Sequence, residues 1–144
     1  MLKTLLFDLD GTLLPIDTDL FVGRYLQLLA SKITPIVDPE LFIKQLLRAT
    51  DIMIHHQNPN KTNEEVFWEA FFPAVPYDGT ELKSLLDDFY EKDFPQLQDS
   101  LKVKPATADI VGTALSKGYE VVIATNPIFP EVAVLDRLRW INAD

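Results

Sequence analysis

The chain has 144 residues, 47% hydrophobic and 24% charged, ordinary values for one globular domain or for one core with a small insert. Thirteen basic against twenty-two acidic residues give a formal net charge of −9, which argues against a nucleic-acid partner. A phosphorylated ligand stays open, because a bound divalent cation inverts the local field, while the lack of cysteine rules out disulfides, thiolate metal sites and a cysteine nucleophile.

The first element is the richest in chemistry. Leu5-Leu6-Phe7 runs into Asp8-Leu9-Asp10 and then at once into Gly11-Thr12-Leu13-Leu14. An apolar run bounded by a turn signal predicts a buried strand of a parallel sheet. Residues two apart in a strand point the same way, so Asp8 and Asp10 both project from its carboxyl end. Open α/β sheets place their ligands at that end. Two carboxylates there supply a nucleophile, an acid/base partner and a seat for a hard cation such as Mg²⁺. Asp10-Gly11 alone is a common turn dipeptide; strand plus Asp-x-Asp-Gly-Thr-Leu is a far more specific signal. The apolar stretch before Asp8 is too short for a signal-peptide core or a membrane span, which predicts a cytoplasmic protein with no membrane contact.

From about Asp17 to Gln98 the pattern is helical. Leu20, Phe21, Tyr25, Leu28 and Leu29 mark a first helix ending near Lys32. Asp38 as N-cap and Pro39 at the first helical position open a second helix, with Phe42, Leu46, Ala49 and Met53 on its buried face. Thr62 and Glu65 form a capping-box pattern ahead of Val66, Phe67 and Phe71. A fourth helix starts near Asp78-Gly79-Thr80, with Leu82, Leu85, Leu86 and Phe89 as its stripe. Four short amphipathic helices in succession predict a small bundle. The adjacent His55 and His56 point to different faces of a helix and read as structural or solvated rather than as metal ligands. Glu64-Glu65 reads as first-turn carboxylates, and Asp87-Asp88 as a solvated helix face.

The pattern then returns to α/β. Pro105 opens a helix through Ile110, Val111, Ala114 and Leu115, with Gly118 as its left-handed terminator. The β-branched run Tyr119-Glu120-Val121-Val122-Ile123-Ala124-Thr125-Asn126 predicts a second buried strand, stopped by Pro127. If the two strands pair, Thr125 sits beside Asp8 at one carboxyl edge, where a hydroxyl and a backbone N–H can hold a phosphoryl oxygen. Glu131 to Trp140 is helical again.

Asp8-Leu9-Asp10-Gly11-Thr12-Leu13 resembles the first motif of the haloacid dehalogenase superfamily of hydrolases, and the strand ending in Thr125 resembles the second. The resemblance implies that Asp8 is the nucleophile forming an aspartyl-phosphate and Asp10 the acid/base. It also implies that Thr125 holds the phosphate, that Asn126 contacts phosphate or substrate, and that Mg²⁺ binds at Asp8 and Asp10. The presence of Asp10 implies phosphoryl transfer rather than dehalogenation. A helical insert between these motifs is where the superfamily often carries a cap.

The fold expected is therefore α/β: a partial doubly wound, Rossmann-like core (residues 1–14 and 101–144) interrupted by a helical cap (residues 15–100). The activity expected is Mg²⁺-dependent hydrolysis of a phosphate monoester on a small phosphorylated metabolite. The superfamily continues with a lysine and further acidic residues after the second motif. Lys102, Lys104 and Lys117 all precede Thr125, so a site incomplete for Mg²⁺ and little or no phosphatase activity are expected. The alternative expectation is a truncated, non-catalytic fragment or partner-binding module. Two parallel strands leave open edges, a route to self-association.

Overall fold

The computed structural model describes residues 2–101 and 106–143. The fold is mixed α/β and mostly helical, with one small parallel sheet. Strand β1 (Thr4–Phe7) is followed by helices α1 (Thr18–Ile33), α2 (Pro39–His55), α3 (Asn63–Phe71) and α4 (Gly79–Asp88). Helix α5 (Ala106–Ser116), strand β2 (Glu120–Ile123) and helix α6 (Glu131–Trp140) complete the order. The expected helix-opening Pro105, together with Lys102 and Lys104, lies outside the described residues.

The two strands pair in parallel, with Thr4 opposite Glu120 and Phe7 opposite Ile123. The ladder extends at both ends, through Glu120 N–H to the Lys3 carbonyl at 2.9 Å and Ala124 N–H to the Phe7 carbonyl at 2.7 Å. Parallel pairing puts both carboxyl ends at one edge. Burial of both strand faces, expected from the apolar runs, does not hold. Phe7, Val121 and Ile123 pack on the core, but Leu6 is 66% and Val122 39% exposed on the opposite face. A strand's burial on its second face depends on what covers the sheet, and among the described residues only one face is covered.

Helix ends follow their capping chemistry. The carboxylate of Asp17 accepts from Leu20 N–H and that of Asp38 from Leu41 N–H, each satisfying an otherwise orphaned first-turn donor. Thr62 and Glu65 form the reciprocal capping box, whose hydrogen bonds hold the Glu65 carboxyl below its usual range. Asp78 accepts from both Thr80 and Glu81 N–H groups. Helix α5 ends at Ser116, and Gly118 two residues on turns the chain with φ +79°, a conformation that costs glycine little.

The expected stripes hold with three corrections. Leu20 is exposed, because Ile33 rather than Leu20 completes the α1 stripe of Phe21, Tyr25 and Leu29. Ile110 and Leu115 are exposed on α5, whose buried face is Thr107, Val111 and Ala114. Asp88 is not a solvated face: it is half-buried and accepts from Lys32 at 2.6 Å and also pairs with Lys92. Helix α4 does not stop cleanly but widens into a π-helical turn (Phe89–Asp93) and a 3-10 segment (Phe94–Ser100).

That widening brings Phe89 and Phe94 into full burial. Phe94 stacks on Trp140 of α6 with ring centroids 5.6 Å apart and meets Phe21 and Tyr25 edge-on. Phe129, in the loop after β2, lies 5.2 Å from the Tyr25 ring. One continuous core therefore joins the inserted helices to α6, the β2 loop and the buried Leu9, Leu13 and Leu14 behind β1.

Candidate active site

The segment after β1 is held down by its leucines. Leu9, Leu13 and Leu14 are buried, and Leu14 N–H donates to the Leu9 carbonyl at 2.8 Å. Gly11, at φ +80°, makes the turn that returns its own N–H to the Leu14 carbonyl at 2.8 Å. The hydroxyl of Thr107 on α5 donates to the Leu13 carbonyl at 2.8 Å, tying the loop to the helix before β2. With the leucines inward, Asp8 is exposed and Asp10 half-buried at the carboxyl edge of the sheet.

Asp8 follows β1 directly, and its Oδ2 accepts from the Thr12 hydroxyl at 2.8 Å. That bond preorients the carboxylate without burying it. Thr125 and Asn126 come two and three residues after the end of β2, on the same edge, half-buried and exposed respectively. Both lie beyond the strand that was expected to include them. Parallel pairing thus brings all four expected residues to one edge.

Asp10 is engaged by a residue that sequence reasoning missed. Its Oδ2 accepts a charge-assisted hydrogen bond from Nη1 of Arg137 on α6, a side chain only 1% exposed. Arg137 is fixed in turn by its Nε, which donates to the Ala133 carbonyl at 3.1 Å, and by the face of Phe129, 4.8 Å from its guanidinium carbon. Asp10 Oδ1 and Arg137 Nη2 are enclosed and have no hydrogen-bond partner among the described residues. A signal for Arg137 was available: it shares one face of α6 with Ala133 and Trp140, all three buried, and a cation within an apolar stripe calls for an anion.

Two phenols complete the surroundings. The hydroxyls of Tyr25 and Tyr90 lie 2.8 Å apart. Burial, reinforced by Tyr90, holds the Tyr25 phenol well above its ordinary value. Burial pushes Tyr90 up to about 12, against the opposing pull of its bond to Tyr25 and of the Arg137 charge.

The donors suit a hard cation. Mg²⁺ takes few protein carboxylates and fills its shell with waters and substrate phosphate oxygens. Asp8 offers an exposed carboxylate, and the orphaned Asp10 Oδ1 is a second hard oxygen. No group of three or more metal-ligating side chains converges among the described residues. His55 pairs with Asp51 at 3.3 Å and His56 with Asn63 at 3.1 Å, which fits their structural reading. No described helix is long and apolar enough to cross a membrane. No protein-family model, curated protein or solved structure matches the chain.

Proposed function

We propose that this chain is a hydrolase of the haloacid dehalogenase type, cleaving a phosphate monoester of a small cytoplasmic metabolite through an aspartyl-phosphate. The observation that carries this reading is the placing of Asp8 and Asp10 directly after β1, at the edge where β2 delivers Thr125. On this reading residues 1–14 and 101–144 are the core and residues 15–100 its cap.

In the first step an Asp8 oxygen attacks phosphorus while the ester P–O bond breaks, and protonated Asp10 gives its proton to the departing alcohol oxygen. In the second, water attacks the phosphorus of the aspartyl-phosphate and its proton passes to the Asp10 carboxylate. Inorganic phosphate leaves, and Asp8 is restored as a carboxylate. Thr125 holds a phosphoryl oxygen through its hydroxyl, and Asn126 contacts phosphate or substrate. Thr12 keeps Asp8 aimed. Asp8 and Asp10 would hold Mg²⁺, which would supply positive charge against the phosphoryl oxygens.

Hydrolysis of p-nitrophenyl phosphate with and without Mg²⁺ tests the reading. Slow turnover that needs Mg²⁺ and disappears in Asp8→Asn is the expected result, slow because the lysine and further acidic residues of the superfamily have no counterpart after Thr125; equal rates for the two chains overturn it.

One observation favours a second reading, a partner-binding module. Leu6 and Val122 are register partners, both exposed on the face of the sheet that no described residue covers. Exposed apolar surface of this kind often marks an association site.

A further inference from the structure

We infer that Arg137 is a positioning residue for the reaction, holding the side chain of Asp10, the acid/base of the proposed mechanism, in place at the carboxyl edge of the sheet. The inference rests on the phosphohydrolase reading and adds to it a residue from α6, outside both motifs.

The argument begins with what a buried guanidinium requires. Arg137 is 1% exposed, and an unpaired charge there would be very costly. Its anion is Asp10, 127 residues away in sequence. Three contacts fix the guanidinium: Asp10, the Ala133 carbonyl and the Phe129 ring. Asp10 sits on a loop turned by Gly11, and among the described residues Arg137 alone bonds its carboxylate.

The pairing also fixes the orientation of the carboxyl group: Asp10 Oδ2 is held by Arg137, and Oδ1 is the unpaired atom. Phe129 in turn packs against Phe21, Tyr25 and Phe94 of the inserted helices, so the aromatic core sets where the guanidinium stands.

Leaving-group dependence separates this role from general support of the fold. A nitrophenolate departs with little help from a proton, whereas an alkoxide needs one. The measurement is kcat/KM, which covers steps through formation of the aspartyl-phosphate, on p-nitrophenyl phosphate and on glycerol phosphate. Arg137→Met keeps an apolar stem and removes the donor. It is expected to lose about 100-fold on glycerol phosphate, within the usual range for a proton-transfer catalyst, and less than about threefold on p-nitrophenyl phosphate. Arg137→Lys keeps charge without the planar fork and should lose about tenfold on glycerol phosphate alone. If Arg137→Met fails to fold, Arg137→Lys decides by the same pattern. Equal losses on both esters, or no loss on either, with Asp8→Asn inactive, overturn the role of Arg137 and leave the phosphohydrolase reading standing. A wild-type chain no better than Asp8→Asn on both esters overturns both.

Discussion

The hydroxyls of Tyr25 in α1 and Tyr90 in the π-helical turn share a hydrogen bond of 2.8 Å inside the aromatic core. The bond joins two inserted elements 65 residues apart and sits where the Arg137 charge is felt. Both phenols are stabilised in the neutral form, chiefly by burial.

Alkaline stability follows from this pair. Below the unfolded tyrosine value of about 10, both states keep these protons and the contribution to stability is full. As pH climbs from there to about 12, the unfolded chain loses protons that the folded chain retains, so stability falls. Circular dichroism along a pH series should therefore show unfolding within that window. The double variant Tyr25→Phe/Tyr90→Phe removes both groups and should move the transition to higher pH. An unchanged transition would show that other groups set it.

Phe94 is the ring on which the inserted helices and α6 meet. It is fully buried and touches Phe21, Tyr25, Tyr90, Phe129 and Trp140. Phe94→Ala removes those contacts and leaves a cavity, at a cost of about 3–5 kcal/mol. Chemical denaturation should record a lower midpoint. A loss below about 1 kcal/mol would mean that the two parts are stable without their shared rings.

Two glycines in one helical unit should respond with opposite signs. Gly118 has φ +79° and open space around a built Cβ, so alanine there meets backbone strain alone, about 1 kcal/mol. Gly112 lies within α5, with no atom near a built Cβ, and alanine should stabilise by about 0.8–1 kcal/mol through helix propensity. Thermal melts of the two single variants should move in opposite directions; the same sign for both would refute the backbone account.

Legibility followed the range of the forces involved. The α2 cap at Asp38, its Pro39 and the stripe Phe42, Leu46, Ala49 and Met53 are local, and their pattern predicts the helix as found. The Thr62–Glu65 capping box is equally local. The π-helical turn after α4 was not legible, because it answers to the packing of Phe89 and Phe94 against rings far away in sequence. Exposure of Leu6 depends on what covers the sheet, which no strand pattern encodes. At the edge of the sheet, the Asp-x-Asp-Gly-Thr run marked Asp8 and Asp10 at once. Their partners were unequal: Thr12 is four residues from Asp8, whereas Arg137 reaches Asp10 only through the fold.

The uncovered sheet face carries the last prediction. Leu6 and Val122 are register partners, so their side chains lie side by side on adjacent strands, 66% and 39% exposed. Burying such apolar surface against a second copy is favourable by roughly 25 cal/mol per Å², and a strand edge offers backbone partners as well. Light scattering is expected to show association of the wild-type chain that grows with concentration. Leu6→Glu places a charge on that face without disturbing the core, because the side chain it replaces is already in solvent. The variant should keep its circular dichroism spectrum and scatter as a monomer. Identical scattering from both chains, monomeric or associated, would show that this face does not drive assembly.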